Sequence, residues 1–278
     1  MNSQKFIVIC SEKDLAGKNI FKHIHEDFPS LNHYLIEEES IYAENIDKKI
    51  PGDFFIFATK HKSREERKTL SIHAPGNWEK AEIGGQDNKI CKTSAFFLKH
   101  LFITLNQEAK KAKSDYECTL EVTHHGPYVE KPCVFVEIGS NEENWKDAEA
   151  GKIIARTIKK AISTFKPSDW IPAILLGGGH YNQAGNEIML RTNYAIGHIC
   201  PKHMLQYLDE NLINQAVDKT IPKPEIILLE WKGLGNYKKK IIDLLEKMNL
   251  KYERVQNILK NPELLFHSKK KFSPHSSA

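Results

Sequence analysis

The chain has 278 residues, of which 40% are hydrophobic and 27% charged, and its formal net charge at pH 7 is +4. This length allows one large domain or two small ones, and the composition is typical of a soluble globular protein. The apolar runs are too short to span a bilayer, which excludes an integral membrane protein. The mild positive charge permits a polyanionic partner without requiring one.

The cysteines and the N-terminal segment indicate a cytoplasmic protein. The five cysteines lie far apart in the sequence, at positions 10, 91, 118, 133 and 200. An odd number of scattered cysteines favours reduced, buried thiols over a disulfide framework or a cysteine-ligated zinc site. The N-terminus leads directly into an apolar run, so we expect no signal peptide.

Strands and helices alternate along the chain. Continuous apolar runs predict strands covered on both faces, and apolar residues at helical spacing predict amphipathic helices. In chain order we predict strands over residues 6–10, 53–58, 70–73, 116–123, 133–138, 170–176, 194–200 and 225–230, and an edge strand over 250–256. Helices are predicted over 14–28, 93–112, 151–165 and 236–248, and another begins at Lys202. This alternation predicts a three-layer α/β fold, with helices on both faces of a mostly parallel or mixed central sheet.

Two segments fall outside this pattern. Residues 60–92 are polar and lack clear periodicity, so we predict a lid or an insertion there. Residues 267–278 contain three consecutive lysines and several serines, which predicts a disordered basic tail. Because no linker divides the remainder, residues 1–266 are predicted to form a single α/β domain.

Several histidines and one glutamate lie in or at the end of predicted strands, most of them beside Gly or Pro. The set comprises His73, His124, His125, His180, His198 and Glu137. Because the carboxyl ends of strands meet at one edge of an open α/β sheet, we expect these side chains to converge there. Imidazole and carboxylate groups are ligands that suit zinc, and they could equally act as a general acid or base.

Local geometry limits these assignments. Side chains alternate across a strand, so His124 and His125 should face opposite sides unless Gly126-Pro127 bends the chain. The three glycines at 177–179 allow a sharp turn whose N–H groups could hold a developing oxyanion. They do not match a phosphate-binding loop, and the sequence has no Gly-x-Ser-x-Gly motif, which excludes the common nucleoside-triphosphatase and serine-hydrolase classes.

Basic and aromatic residues near these positions suggest a nucleic-acid surface, although most basic clusters are equally explained as solvated helix faces. The four clusters are Lys60, Lys62, Arg64, Arg67 and Lys68; Lys110, Lys111 and Lys113; Lys152, Arg156, Lys159 and Lys160; and Lys238 to Lys240. Trp78, Tyr128 and Tyr181 lie beside candidate site residues and could stack on a nucleobase or pack in the core.

Five motifs occur in a characteristic order. They are Ser-Ile-His-Ala-Pro-Gly-Asn-Trp at 71–78, Thr-His-His-Gly-Pro at 123–127, Val-Glu-Ile-Gly-Ser at 136–140, Gly-Gly-Gly-His-Tyr at 177–181 and Gly-His-Ile at 197–199. Together they resemble the D-aminoacyl-tRNA deacylases of the archaeal and plant type, and the resemblance extends from about residue 5 to residue 256.

The resemblance implies a metal-dependent hydrolase, with zinc as the expected ion. Its substrate would be the acceptor end of a tRNA carrying a D-amino acid, and its products would be free D-amino acid and tRNA. The resemblance also implies a core similar to those of peptidyl-tRNA hydrolases and nucleoside phosphorylases. We expect a cytoplasmic monomer or homodimer.

On this basis we assign provisional roles to the site residues. His73, His124 and His180, together with Glu137, are candidates to hold zinc, while His125, His198 and Glu137 are the catalytic candidates for moving protons. Substrate binding is assigned to Gly177, Gly178, Gly179, Tyr181, Trp78, Lys152 and Arg156.

Two other functions are compatible with the residues. A non-catalytic tRNA-binding module would use the basic faces and leave the histidines structural. A small-molecule enzyme of the nucleoside phosphorylase or amidohydrolase kind would act independently of the tRNA body. The ordered motifs favour the deacylase over both.

Overall fold

The computed structural model describes residues 4–166, 168–261 and 264–265, so the predicted basic tail at 267–278 lies outside the described residues. The strands are Phe6–Ser11 (β1), His33–Ile36 (β2), Phe54–Lys62 (β3), Thr69–His73 (β4), Thr93–Ser94 (β5), Glu117–Leu120 (β6), Cys133–Ser140 (β7), Ile171–Leu176 (β8), Tyr194–Cys200 (β9), Thr220–Ile221 (β10), Ile226–Leu229 (β11) and Tyr252–Arg254 (β12). The helices are Leu15–Asp27 (α1), Ile46–Lys49 (α2), Ala95–Lys111 (α3), Glu142–Lys146 (α4), Ala148–Thr164 (α5), Gln183–Arg191 (α6), Glu210–Lys219 (α7), Lys238–Lys247 (α8) and Val255–Lys260 (α9). None of these helices is long and apolar enough to cross a membrane.

The larger sheet has six strands in the order β2-β1-β3-β7-β4-β6. Strands β1, β2, β3 and β7 are parallel, while β4 runs antiparallel to β7 and β6 runs parallel to β4. One face packs against α1, α3 and α5 in the main hydrophobic core. The other face, which carries Phe57 and Phe135, packs against α2 and neighbouring loops. The chain therefore has the predicted α/β fold with a mixed sheet.

The smaller of the two main sheets contains four parallel strands in the order β12-β11-β8-β9, and β5 and β10 form a separate two-stranded sheet. Its apolar side chains, including Leu176 and Leu229, form a second core with α7 and α8. On the opposite side, Leu175 and Ile196 join the main core beside α3. The two sheets thus share the core that surrounds α3.

Residues 120–123, at the end of β6, connect the two sheets. The Val122 N–H donates to the His180 carbonyl over 3.1 Å, and the Thr123 N–H donates to the Ile199 carbonyl over 2.9 Å. In return, the Asn182 N–H donates to the Leu120 carbonyl over 2.9 Å. The loop after β8 is therefore held against the end of β6, which brings His180 to the larger sheet.

Most predicted elements are present, and the differences have local causes. Strand β3 continues to Lys62, so residues 60–73 of the predicted lid or insertion belong largely to β3 and β4. The helix expected from Lys202 is a short 3-10 turn, and α7 starts only at Glu210. The strands β2, β5 and β10 and the helices α2, α4, α6 and α9 were not predicted. Helix α6 was missed because its sequence contains Gly185 and several polar residues, although the Asn182 side chain caps it by accepting from the Gly185 N–H over 2.7 Å.

Candidate active site

A cleft of about 880 Å³ opens beside the end of β3. Residues 59–65 and Arg67 line it at the end of β3, and Gly179, His180 and Tyr181 line it from the loop after β8. His124, His125 and Glu137 also line it. The cleft therefore gathers side chains from both sheets.

The register of the larger sheet places the first site residues on one face. Glu137 in the middle of β7 pairs with Thr59 of β3 and with Ser71 of β4. Because side chains two residues apart share a face, His61 and His73 lie on the same face as Glu137. We expected the site residues to meet at one carboxyl edge of the sheet. Because β4 runs antiparallel to β7, the carboxyl ends of these strands lie at opposite edges, and the site lies over this face instead.

Glu121 lies at the centre of a group of imidazoles. Its Oε2 is 3.0 Å from His180 Nε2, 3.2 Å from His61 Nδ1 and 3.5 Å from His124 Nε2. One ligand atom from each of these four residues lies within 4.8 Å of the others. Zinc bonds of about 2.0–2.2 Å in a tetrahedral arrangement separate ligand atoms by about 3.4 Å. The distances to Glu121 are close to this separation, and the four residues could hold a metal ion.

Glu137 is the centre of a second, adjoining group. Its Oε2 is 3.4 Å from His61 Nδ1 and 3.7 Å from His73 Nε2, and its Oε1 is 3.9 Å from His125 Nε2. His61 thus lies between the two carboxylates and joins the groups. His73 is fully buried and its ring stacks on Phe135 at 5.2 Å between centroids, which fixes its position.

Backbone carbonyls orient three of the imidazoles. The Nδ1 of His124 is 2.8 Å from the Val122 carbonyl, that of His125 is 2.6 Å from the Gly126 carbonyl, and that of His73 is 3.2 Å from the Ala74 carbonyl. A carbonyl can only accept, so each Nδ1 must carry the proton. The Nε2 lone pairs are then free to accept a proton or to bind a metal ion.

The carboxylates are ionised, and the pKa values of the imidazoles shift in different directions. Burial raises the pKa of Glu121, but the neighbouring imidazoles of His180 and His61 outweigh it and hold this pKa well below its usual value. Burial and the neighbouring His73 lower the pKa of His125 to about 4. Burial also lowers the pKa of His61, but Glu121 and Glu137 more than compensate and raise it to about 11.

Buried polar atoms in this cluster lack hydrogen-bond partners among the described residues. They include both carboxylate oxygens of Glu121, Oε2 of Glu137, and Nε2 of His61, His73 and His180. Unsatisfied buried polar atoms are costly. Their convergence, together with the donor set of imidazoles and carboxylates, fits a metal ion.

The structure brings some of the predicted site residues together and separates others. His73, His124, His125, His180 and Glu137 form the cluster, and Gly179 and Tyr181 line the cleft. The described residues that line the cleft do not include His198, Trp78, Lys152, Arg156, Gly177 or Gly178.

The residues outside the cleft have structural contacts. His198 is buried with its Nδ1 3.1 Å from Thr123 Oγ1, and Trp78 is buried in the second core and donates its Nε1–H to the Thr123 carbonyl. Lys152 pairs with Glu149 on the surface of α5. Gly178 has a φ of +92°, which favours glycine and shapes the turn behind the cleft.

The sequence analysis missed His61 and Glu121. His61 lies between two lysines in a segment predicted as a lid, and Glu121 was concealed in a predicted strand. In the sequence Thr119, Glu121 and Thr123 alternate with apolar residues as on a strand with one solvated face, and only their burial in the structure sets them apart.

Comparison with known proteins identifies the relatives of this chain. A family model described as D-aminoacyl-tRNA deacylase matches residues 49–253. The chain is 34% identical to the D-aminoacyl-tRNA deacylase of Methanosarcina acetivorans, covering 90% of this chain and 92% of that protein. It is 35% identical to the protein of the same name from Archaeoglobus fulgidus, covering 85% and 91%. A crystal structure described as a conserved protein of unknown function, AF0625, superposes with a TM-score of 0.86 at 31% identity, covering 94% of this chain and 99% of that one.

Proposed function

This chain belongs to the D-aminoacyl-tRNA deacylase family and is a hydrolase, and we propose that it cleaves the ester bond of D-aminoacyl-tRNA in the cleft beside β3, with zinc bound at Glu121. The products would be free D-amino acid and tRNA. The proposal includes a preference for the D isomer, a cytoplasmic location and a monomeric or homodimeric state.

The observation that carries the proposal is the convergence of three imidazoles on Glu121 Oε2 at 3.0–3.5 Å. We propose His61, Glu121, His124 and His180 as the zinc ligands. This set keeps His124 and His180 from the sequence-based assignment and replaces His73 and Glu137 with His61 and Glu121, which the sequence did not indicate. Bound zinc would polarise the ester carbonyl or lower the pKa of a water molecule.

The adjoining group around Glu137 is proposed to handle protons. The Nε2 of His125 is free to accept a proton from the attacking water and to return it to the ribose oxygen that leaves. Glu137 lies 3.9 Å from this nitrogen and would stabilise the imidazolium that forms. His73, which contacts Glu137 from the buried side, would position that carboxylate.

Two earlier assignments change in this proposal. We assign His198 a supporting role, because it is buried against Thr123 outside the cleft lining. Of the predicted substrate-binding residues, we retain Gly179 and Tyr181, which line the cleft.

The decisive experiment is hydrolysis of matched D- and L-tyrosyl-tRNA by the purified protein, with and without a chelator. We expect rapid loss of the D ester, slow loss of the L ester, inactivation by the chelator and recovery with zinc. Negligible hydrolysis of both esters would overturn the proposal and favour a non-catalytic tRNA-binding module. Full activity after verified removal of all metal would overturn the role of zinc.

A further inference from the structure

We propose that the rim formed by residues 60–67 binds the phosphate backbone of the single-stranded 3′ end of the substrate, with Lys62 and Arg64 as the direct phosphate contacts. This inference rests on the proposed function, because it assumes that a tRNA acceptor end enters the cleft. It adds a substrate-binding surface that is separate from the His–Glu cluster.

The rim lies along the cleft in which the ester would react. Residues 60–65 and Arg67 line the cleft that contains the cluster. His61 points into the cluster, and the basic residues on either side of it in the sequence lie along the same opening. If the nucleotides attached to a bound ester leave the cleft on the β3 side, they run along this rim.

The cations of the rim differ in whether a carboxylate already neutralises them. Lys60 pairs with Glu39 at 2.8 Å, and Arg67 pairs with Glu117. Lys62 and Arg64 are exposed, and no carboxylate of a described residue lies within 4.0 Å of either side chain. An unpaired, exposed cation gives up only water and counterions when it binds a phosphate, which favours these two residues as the contacts.

Arg67 stabilises the position of the rim through contacts with Glu117 and Tyr181 and is not proposed to bind phosphate. Its guanidinium carbon is 4.9 Å from the centroid of the Tyr181 ring, in the loop after β8. Together with the Glu117 pair, this contact fixes the end of the rim against the loop that carries His180. The phosphate contacts are thereby held at a defined distance from the reacting ester.

In the described part of the chain, the other three basic clusters lie outside the cleft lining. Lys160 pairs with Glu108, Lys239 pairs with Asp243, and Lys240 donates to the carbonyls of Leu205 and Gln206. The cleft geometry therefore selects residues 60–67 from the four clusters in the sequence.

The test compares two substrates that share the ester but differ in phosphate. We would measure kcat/KM for D-tyrosyl-tRNA and for 3′-O-D-tyrosyl-adenosine, which has no phosphate. The variant Lys62→Glu/Arg64→Glu is compared with Lys223→Glu/Lys251→Glu, which makes the same charge change at exposed positions. These control residues precede β11 and β12, at the opposite end of the smaller sheet from the loop that enters the cleft.

We expect the rim variant to lose about tenfold or more in kcat/KM for the tRNA substrate and to keep its rate on the adenosine ester. The slope of log KM against log salt concentration should fall in magnitude by about 1.4, or about 0.7 for each lost single-strand phosphate contact. The control should match the wild type. The milder Lys62→Gln/Arg64→Gln variant should show a smaller loss in the same direction.

An equal loss on both substrates, or no loss on either, would overturn the inference. If the wild type hydrolyses neither substrate, the proposed function fails, and the rim is then tested by binding of a short 5′-labelled RNA that ends in CCA. About tenfold weaker binding of this RNA by the rim variant would support the phosphate surface by itself, and unchanged binding would overturn it.

Discussion

Glu121 holds an unusual position among the residues of the cluster. Its side chain is completely buried, yet both carboxylate oxygens lack hydrogen-bond partners among the described residues and three imidazole nitrogens surround one of them. A buried ionised carboxylate is costly unless a cation or several donors compensate it. The cluster is therefore arranged for positive charge, either a proton on His61 or a bound metal ion.

The first prediction concerns this residue. Glu121→Gln keeps the size of the side chain but removes its charge, so zinc affinity should fall by about 100-fold or more and hydrolysis should fall with it. Glu225→Gln, at an exposed position before β11, is the matched control. Zinc per chain, measured by inductively coupled plasma mass spectrometry after dialysis, checks the expectation. Wild-type zinc content in Glu121→Gln would show that the proposed ligand set is incorrect.

At the scale of elements, three loops meet beside the cluster without side chains between them. Gly126 follows His125, and a Cβ there would overlap the backbone of Gly84 and Gly85 and approach the Ile41 carbonyl. The loops around residues 41, 84 and 126 are thus packed backbone against backbone. Beside this contact His125 has a left-handed φ of +45°, which breaks the alternation expected of a strand, and both His124 and His125 line the cleft.

The second prediction follows from this packing. Gly126→Ala must displace either the loop at 84–85 or His125, because neither backbone can rotate away as a flexible side chain would. We expect about 1–3 kcal/mol of destabilisation and about a 100-fold loss of kcat/KM. Urea unfolding and steady-state kinetics measure the two effects separately. A variant with wild-type kinetics would mean that the loop junction does not position His125.

At the scale of the whole molecule, Lys99 connects the helix layer of the larger sheet to the smaller sheet. It is fully buried in α3, and its ammonium donates to the carbonyls of Met189, Thr192 and Tyr194 over 2.7–2.8 Å. Burial lowers the pKa of Lys99 to about 7. The three carbonyls compensate for this burial and anchor the end of α6 and the start of β9.

The third prediction tests this connection. Lys99→Met keeps the apolar stem but leaves buried carbonyls without a donor, so the free energy of unfolding should fall by about 2–4 kcal/mol. Lys111→Met, at an exposed position on the same helix, should change it by no more than about 0.5 kcal/mol. Chemical denaturation of both variants checks the difference. Equal stability of the two variants would show that the buried ammonium contributes nothing.

The sequence predicts the fold well and the site only in part. Apolar runs and helical spacing are local signals, so the α/β alternation and most elements are correct. His73, His124, His125 and His180 were recognisable because Gly or Pro lies close to each in the sequence. His61 and Glu121 have no such neighbours, and their proximity depends on strand register and on the bridge between Glu121 and Tyr181. Likewise, nothing local distinguishes Lys152 on a solvated helix from Lys62 on the rim.

The connection between the two main sheets at residues 120–123 also affects when the folding chain becomes active. These residues hydrogen-bond to His180 and Ile199 of the smaller sheet while they extend β6 of the larger one. An intermediate in which only the larger sheet has formed would contain His61, Glu121 and Glu137 but would lack His180. A chain in that state has an incomplete cluster, and the hydrolase becomes competent only when its two main sheets have docked.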